Sequence, residues 1–320
     1  MDIIFLGTSS GTPTKARNVS GLALLDEAGG DWTLVDCGEG TQHQLLRAPL
    51  SLMRLQAVFI THVHGDHCYG LPGLLASAGM LGRSAPLPII APAGIEAWIR
   101  STVELTRLIL PFELRFLATE SLDRWERGNW VVEKAALSHR VPSFAYRFTE
   151  ASTEARLDVG KLEAHGIPRG PVWGQLRSGA DATYEGRTLR SSDYVYFPNR
   201  PRRIVVAGDN DRPALLRDSC KEAHVLVHEA TFTKDLAEGP AKGFGHSSAA
   251  AVASFAESIG LPHLVLTHFS PRYQADADRS PSMEDLRREA MAHYHGKLFL
   301  AEDLARYRLD KTGQCSRVSE

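Results

Sequence analysis

The sequence predicts an α/β fold, and three observations lead there. Short apolar runs rich in β-branched residues recur along the chain, helical patterns come between them, and no repeat of fixed period or low-complexity tract breaks the alternation. At 320 residues there is room for one large domain or two modest ones around a substantial core. The first strand is expected at 3–6, where MDIIFLGTSSG carries an apolar stretch into a glycine turn; its early acid and lack of a basic flank do not suit a signal peptide. Further strands are expected at 33–35, 57–60, 130–132, 204–206, 225–227 and 264–266, several apolar enough to be buried on both faces. Helical periodicity places helices at 95–108, 247–258 and 283–293. The longest uncharged stretch, 68–82, is interrupted by Pro72 and several glycines and falls short of the ~18 residues of a membrane span.

Composition narrows the class further. With 43% hydrophobic and 23% charged residues the chain is an ordinary globular protein, neither disordered nor fibrous. A net charge of −2 excludes the strongly basic body that announces nucleic-acid binding by itself, so any such claim must come from a local feature. Cys37, Cys68, Cys220 and Cys315 are far apart with no C-x-x-C pair, which indicates neither a disulfide framework nor a thiolate zinc site and fits a reducing cytoplasm. One segment differs in texture. From 150 to 203 the chain turns polar and bears glycines, prolines and turn dipeptides, with nine Lys/Arg against seven Asp/Glu and Arg200, Arg202 and Arg203 clustered at its end. It reads as an inserted arm or a solvated loop.

The chemistry is concentrated in AVFITHVHGDHCYG, where a buried-type strand ends and presents His62, His64, Asp66 and His67. Four such groups so close together are poor core residues unless a partner satisfies them, and a metal ion is that partner. Other apolar strands also stop at ligand-type residues: His139, Asp209 and His268. In an α/β fold, strand ends and the loops after them share one rim, so ligands distant in sequence can converge. Seven ligands suffice for two metals, and imidazole with carboxylate suits Zn²⁺, with Mn²⁺ or Fe²⁺ as alternatives. A metal pair held about 3.5–4 Å apart lowers the pKa of a shared water to roughly 7, which implies hydrolysis and suits a phosphoryl group.

At these residues the sequence resembles the metallo-β-lactamase superfamily, and along nearly its whole length it is similar to the short form of ribonuclease Z. Besides THVHGDH, the similar elements are PTKARN from Pro13, VDCGEGTQHQL around Asp36, HRVPSFAYR from His139, HEATF from His228, GHSSAAAVA from Gly245, LTHFSPRY from Leu266 and GIPRGPVWGQL from Gly166. The resemblance implies a single domain, a four-layer αβ/βα sandwich, in which 150–203 is an inserted tRNA-gripping arm with Gly170 and Pro171 in its glycine-proline element. It implies His62, His64 and His139 on one zinc, Asp66, His67 and His268 on the other, and Asp209 as the bridge. Asp66 would also orient or deprotonate the attacking water, while His246, supported by Glu229, would stabilise or protonate the leaving 3′ oxygen. Asp36 would support a ligand loop, and Lys15 and Arg17 would touch the tRNA backbone. The implied function is zinc-dependent removal of 3′ trailers from precursor tRNA, leaving a 3′-hydroxyl, by a cytoplasmic homodimer in which one subunit's arm serves the other's site. A small-molecule phosphodiesterase on the same scaffold, or an RNA-binding protein without chemistry, are the alternatives. The chain departs from the family pattern at Asn210, where threonine is usual, at Asp211, which adds a competing carboxylate, at Ala145 and Cys68, and along DYVYFPNRPRR.

Overall fold

In the computed structural model the first strand runs over Asp2–Gly7, and its side chains alternate between two hydrophobic cores: Ile3 and Phe5 enter one, Ile4 and Leu6 the other. The alternation is the two-residue period of a strand, and a strand apolar at every position must be covered on both faces. The structure describes residues 1–26, 30–151, 155–276 and 278–319. They form two compact units, Met1–Thr149 with Arg203–Glu320, and Glu150–Arg202.

The larger unit holds two sheets. One has eight strands, in the order Cys315–Arg317, Arg306–Leu309, Asp2–Gly7, Gly21–Leu25, Trp32–Cys37, Leu55–Phe59, Leu87–Ala91 and Leu114–Ala118. The other has seven, in the order Lys297–Leu300, His263–Thr267, Val225–Glu229, Arg203–Ala207, Ser143–Glu150, Trp130–Leu137 and Trp125–Arg127. Phe59 and Val35 of the first sheet share a core with Tyr146, Phe148, Val206 and Val227 of the second, so the sheets pack face to face. The outer face of the first is covered by Leu71–Met80 and Ile95–Thr106, and that of the second by Ala249–Ser258 and Met283–Met291. Four layers result, helix, sheet, sheet, helix.

Each strand expected from the sequence lies within a longer observed one, except that 57–60 runs one residue past the end of Leu55–Phe59. Strands such as Gly21–Leu25, Leu87–Ala91 and Arg306–Leu309 were not anticipated, because short apolar or mixed runs carry no periodicity that separates strand from buried helix. Two of the expected helices end slightly earlier than their pattern, Met283–Met291 and Ile95–Thr106, which stops where Arg107 turns left-handed at φ 52°, while Ala249–Ser258 ends as expected and starts two residues later. The smaller unit, read from its polar texture as arm or loop, has a core of its own, formed by Leu162, Ile167, Leu176, Ala182, Leu189 and Tyr194. Its ends meet: the Glu150 N–H donates to the Arg202 carbonyl at 3.0 Å, and the Glu150 carboxylate accepts from Arg202 Nε at 3.0 Å.

A charged knot ties the N-terminus into the first sheet. Asp2 accepts from Arg306 Nε at 2.7 Å and Arg308 Nε at 2.9 Å on the adjoining strand. Burial opposes ionisation of Asp2, but the two guanidinium groups outweigh it and hold its carboxyl below the ordinary range. A group lowered in this way stabilises the fold above the ordinary carboxylate pKa, and that contribution is lost as pH falls through the folded value. Asp2→Asn should therefore cost roughly 1–3 kcal/mol at neutral pH, and the difference should shrink as pH drops below about 4. Melting curves against pH check this, and a deficit independent of pH would show that the charge is not responsible.

Candidate metal centre

The strand ends of both sheets meet at one rim. The Phe144 N–H donates to the Thr61 carbonyl at 3.0 Å, linking the sheets, and the Gly208 N–H donates to the Phe144 carbonyl at 3.1 Å. Leu55–Phe59 leads into His62 and His64, and the short helix Gly65–Cys68 returns Asp66 and His67 to the same place. Trp130–Leu137, Arg203–Ala207 and His263–Thr267 deliver His139, Asp209 and His268. Candidate ligands spread over two hundred positions thus become neighbours because their strands end on one side.

They fall into two groups. His62, His64, His139 and Asp209 form one, and Asp66, His67 and His268 another, the candidate ligand atoms of each lying within 4.8 Å of one another. His62 Nε2 and His139 Nε2 both lie 3.1 Å from His64 Nδ1, and His67 Nε2 lies 3.1 Å from His268 Nε2. Asp209 faces both groups. Its Oδ2 is 3.6 Å from His62 Nε2 and 3.7 Å from His139 Nε2, while its Oδ1 is 3.5 Å from His67 Nε2 and 3.4 Å from His268 Nε2.

The ring protons are engaged elsewhere, which turns lone pairs inward. His139 Nδ1–H donates to the Gly245 carbonyl at 2.7 Å. His67 Nδ1–H donates to Asp36 Oδ2 at 2.7 Å. The Thr61 hydroxyl donates to Asp36 Oδ2 at 2.9 Å and so accepts from His62 Nδ1 at 3.1 Å. The Thr231 hydroxyl donates to Glu229 Oε2 at 2.7 Å and accepts from His268 Nδ1 at 3.0 Å. Four rings are oriented by a partner on the far nitrogen, as metal-binding histidines usually are. Asp36, an orienting partner, and His268, one of the oriented rings, both stand on left-handed backbone, φ 59° and 56°, a conformation costing roughly 1–2 kcal/mol.

Two observations test whether a cation fits. Asp209 Oδ1 is buried without a hydrogen-bond partner, and His67 Nε2 and His268 Nε2, whose Nδ1 atoms both carry their hydrogens, bring lone pair against lone pair at 3.1 Å when the rings are neutral. Both are unfavourable unless positive charge lies between them. Burial above all pushes His62, His64 and His139 below the ordinary imidazole range, so they are neutral donors. Burial opposes charge on His67 too, but Asp66, Asp209 and Asp36 outweigh it and lift it to about 10, so a proton can stand where a cation would. Burial likewise opposes ionisation of Asp66 and Asp209, and the histidines beside them outweigh it, holding both carboxyls well below the carboxylate range. Imidazole and carboxylate donors without thiolate suit a divalent cation of the zinc type.

His246 stands beside the second group. Its Nδ1 is 3.5 Å from Glu229 Oε1 and 3.6 Å from Asp209 Oδ2, ion-pair separations rather than short hydrogen bonds. Burial disfavours its charge, but Glu229 and Asp209 outweigh it and raise His246 to about 9. Glu229 is fully buried and accepts from the Ser247 and Thr231 N–H groups at 2.7 and 2.9 Å. Lys15 is exposed and lines a cavity of about 460 Å³ with Arg17, His43, Arg47 and Asp303. Arg17 is half-committed: its Nη2 donates to the Ser270 and Tyr273 carbonyls at 3.2 and 3.0 Å, which pins the loop against the chain after His268. Gly170 and Pro171 lie in the smaller unit, where they open the helix Pro171–Arg177.

Asp211 corrects an expectation. Its carboxylate is exposed, lies 3.9 Å from Arg212 Nε and belongs to neither ligand group, so it does not compete for the cation. Thr61, Thr231 and Gly245 had no role assigned from sequence, though the Thr-His pair at 61–62 was a usable signal. Gly245 sits at φ 78°, and a Cβ there would lie 2.8 Å from His139 Nδ1, so no other residue can offer the carbonyl that orients His139.

Comparisons with known proteins agree with this geometry. A family profile described as anti-Pycsar protein Apyc1 matches residues 1–96. The chain is 55% identical over 319 residues to a ribonuclease Z of Pseudomonas putida (strain W619), covering 100% of this chain and 99% of the relative. Human tRNase Z, short form, superposes with a TM-score of 0.66 at 27% identity, over 97% of this chain and 100% of that one. The metallo-β-lactamase fold protein YhfI of Bacillus subtilis superposes with a TM-score of 0.66 at 18% identity, over 95% and 98%, and so shares the fold. The full-length identity places this chain, which has the metallo-β-lactamase fold, in the ribonuclease Z family.

Proposed function

We propose that the protein is a metal-dependent endoribonuclease that removes 3′ trailers from precursor tRNA and leaves a 3′-hydroxyl on the tRNA. The observation that carries this reading is Asp209, whose two oxygens face two separate groups of three ligands. His62, His64, His139 and Asp209 would hold one Zn²⁺, and Asp66, His67, His268 and Asp209 the second. Bound there, two such ions supply Lewis acidity, a more acidic water and neutralisation of phosphate charge.

The side chains do the rest. Asp66 Oδ2, steadied by the Gly11 N–H at 2.8 Å, accepts a hydrogen from the attacking water and aims it at phosphorus. Glu229 and Asp209 both face His246 Nδ1, so that nitrogen keeps its proton and Nε2 is the end that gives one to the departing 3′ oxygen. Asp36 and Thr231 hold the rings. Lys15 and the exposed edge of Arg17 contact the RNA backbone, and Gly170 and Pro171 belong to the tRNA-gripping surface of the smaller unit. A homodimer is supported by exposed apolar side chains at the ends of two outer helices: Met80, Leu81, Leu105 and Ile109, the last 87% exposed. Four free, buried cysteines suit a cytoplasmic setting, which cell fractionation tests. Among the described residues no helix is long and apolar enough to cross a membrane.

Zinc-loaded protein incubated with a precursor tRNA should yield a tRNA ending in a 3′-hydroxyl and a trailer beginning with a 5′-phosphate. A cyclic phosphate on the tRNA would mean that the ribose, not water, is the nucleophile, and no cleavage at all would refute the substrate.

A further inference from the structure

Asn210 follows the bridging carboxylate and has no part in the chemistry above, yet it is fully buried and every polar group it carries is engaged. Its Oδ1 accepts from the Ser138 N–H at 3.2 Å and the Arg212 N–H at 3.1 Å. Its Nδ2 donates to His228 Nε2 at 3.1 Å. Its main-chain N–H points at Glu229 Oε1 at 3.4 Å, and its carbonyl accepts from the Ser247 hydroxyl at 2.6 Å. Ser138 immediately precedes His139, and Ser247 immediately follows His246. One residue therefore reaches the segments that carry His139, Asp209 and His246.

The fourth segment is reached through a histidine. His228 Nδ1 lies 2.7 Å from the Glu229 carbonyl oxygen, which only accepts, so Nδ1 carries the hydrogen and Nε2 keeps its lone pair for Asn210. Burial pushes His228 below the ordinary imidazole range, consistent with a neutral ring. The end of the strand Val225–Glu229, and with it Glu229, is held from this side. A threonine could not reproduce the arrangement, because its single oxygen cannot accept from two main-chain N–H groups at one place and donate to His228 at another.

We propose that Asn210 is a positioning residue for the metal centre: it fixes the spacing of the His139, Asp209 and His246 segments and, through His228, the placement of Glu229. The inference rests on the metal-dependent reading above. Asn210→Ala and the milder Asn210→Thr are compared with the unaltered protein by zinc titration of metal-free samples, by kcat and KM on precursor tRNA, and by thermal melting. Asn210→Ala should weaken zinc binding by about 10–100-fold, as loss of a ring-orienting partner does, with kcat reduced and KM little changed. Asn210→Thr should lose several-fold in zinc affinity while melting near the unaltered protein, so it decides the matter if the alanine variant does not fold. Unchanged zinc affinity and kcat in a folded variant overturn the inference, as does a lower melting temperature with unchanged zinc affinity, which marks burial alone. If the unaltered protein binds no zinc stoichiometrically, it is the metal reading that falls.

Discussion

Asp209→Ala should lower kcat/KM on precursor tRNA by roughly 10³-fold or more, about 4 kcal/mol of transition-state stabilisation, and should reduce the metal bound per chain. Alanine leaves His62, His64 and His139 as three neutral donors with no charge, and leaves Asp66 as the lone carboxylate of the other group. Charge on both ions and on the phosphate would then be poorly balanced in a buried setting where electrostatic interactions are strong. The metal-free fold should lose stability as well, because Asp209 faces His67 and His246 and the buried histidines around it hold its carboxyl well below the carboxylate range, so its charge stabilises the fold. Asp209→Asn, which keeps the shape and removes the charge, should fall nearly as far in activity. Elemental analysis with precursor-tRNA kinetics checks the set, and an alanine variant with full metal content and full turnover would eliminate the bridging role.

Removal of Glu150–Arg202 should abolish efficient cleavage of precursor tRNA and spare hydrolysis of a small phosphodiester. The excision is feasible because Thr149 and Arg203 are paired across neighbouring strands, about 5 Å apart at Cα, so a two-residue turn closes the gap. What is lost is a unit with its own core, the Gly170–Pro171 element and a local surplus of cations. Since phosphate contacts supply much of the affinity of proteins for nucleic acid, kcat/KM on precursor tRNA should drop by at least about 100-fold, ~2.7 kcal/mol. Turnover of bis(p-nitrophenyl) phosphate should stay within a few-fold. Mixing the arm-deleted chain with Asp209→Ala then tests the dimer: if an arm serves its partner's site, the mixture regains tRNA cleavage that neither chain has alone. Undiminished cleavage by the deleted chain would remove the smaller unit from the mechanism, and mixtures no better than their parts would exclude exchange between subunits.

The side chains that gather in the two groups were legible in the sequence because a strand end is a local event. A run such as AVFITHVHGDH shows both the buried strand and the polar side chains that it stops at, and the same grammar recurs at His139, Asp209 and His268. Likewise the α/β class follows from apolar runs separated by helical periodicity, a property of neighbouring residues. The core of the smaller unit was hidden because Leu162, Ile167, Leu176, Leu189 and Tyr194 are spaced without period among polar residues.

Only the folded chain decides how the ligands are held. Thr231 orients His268 across 37 positions, Gly245 orients His139 across 106, and Asn210 joins Ser138 to His228. Each of these partners is an ordinary hydroxyl, amide or main-chain carbonyl whose value depends on what lies opposite. Residue type and spacing specify which atoms can donate a lone pair; the direction in which a ring presents it is set by a hydrogen bond through space, and that contact exists only after strands distant in sequence have paired within a sheet.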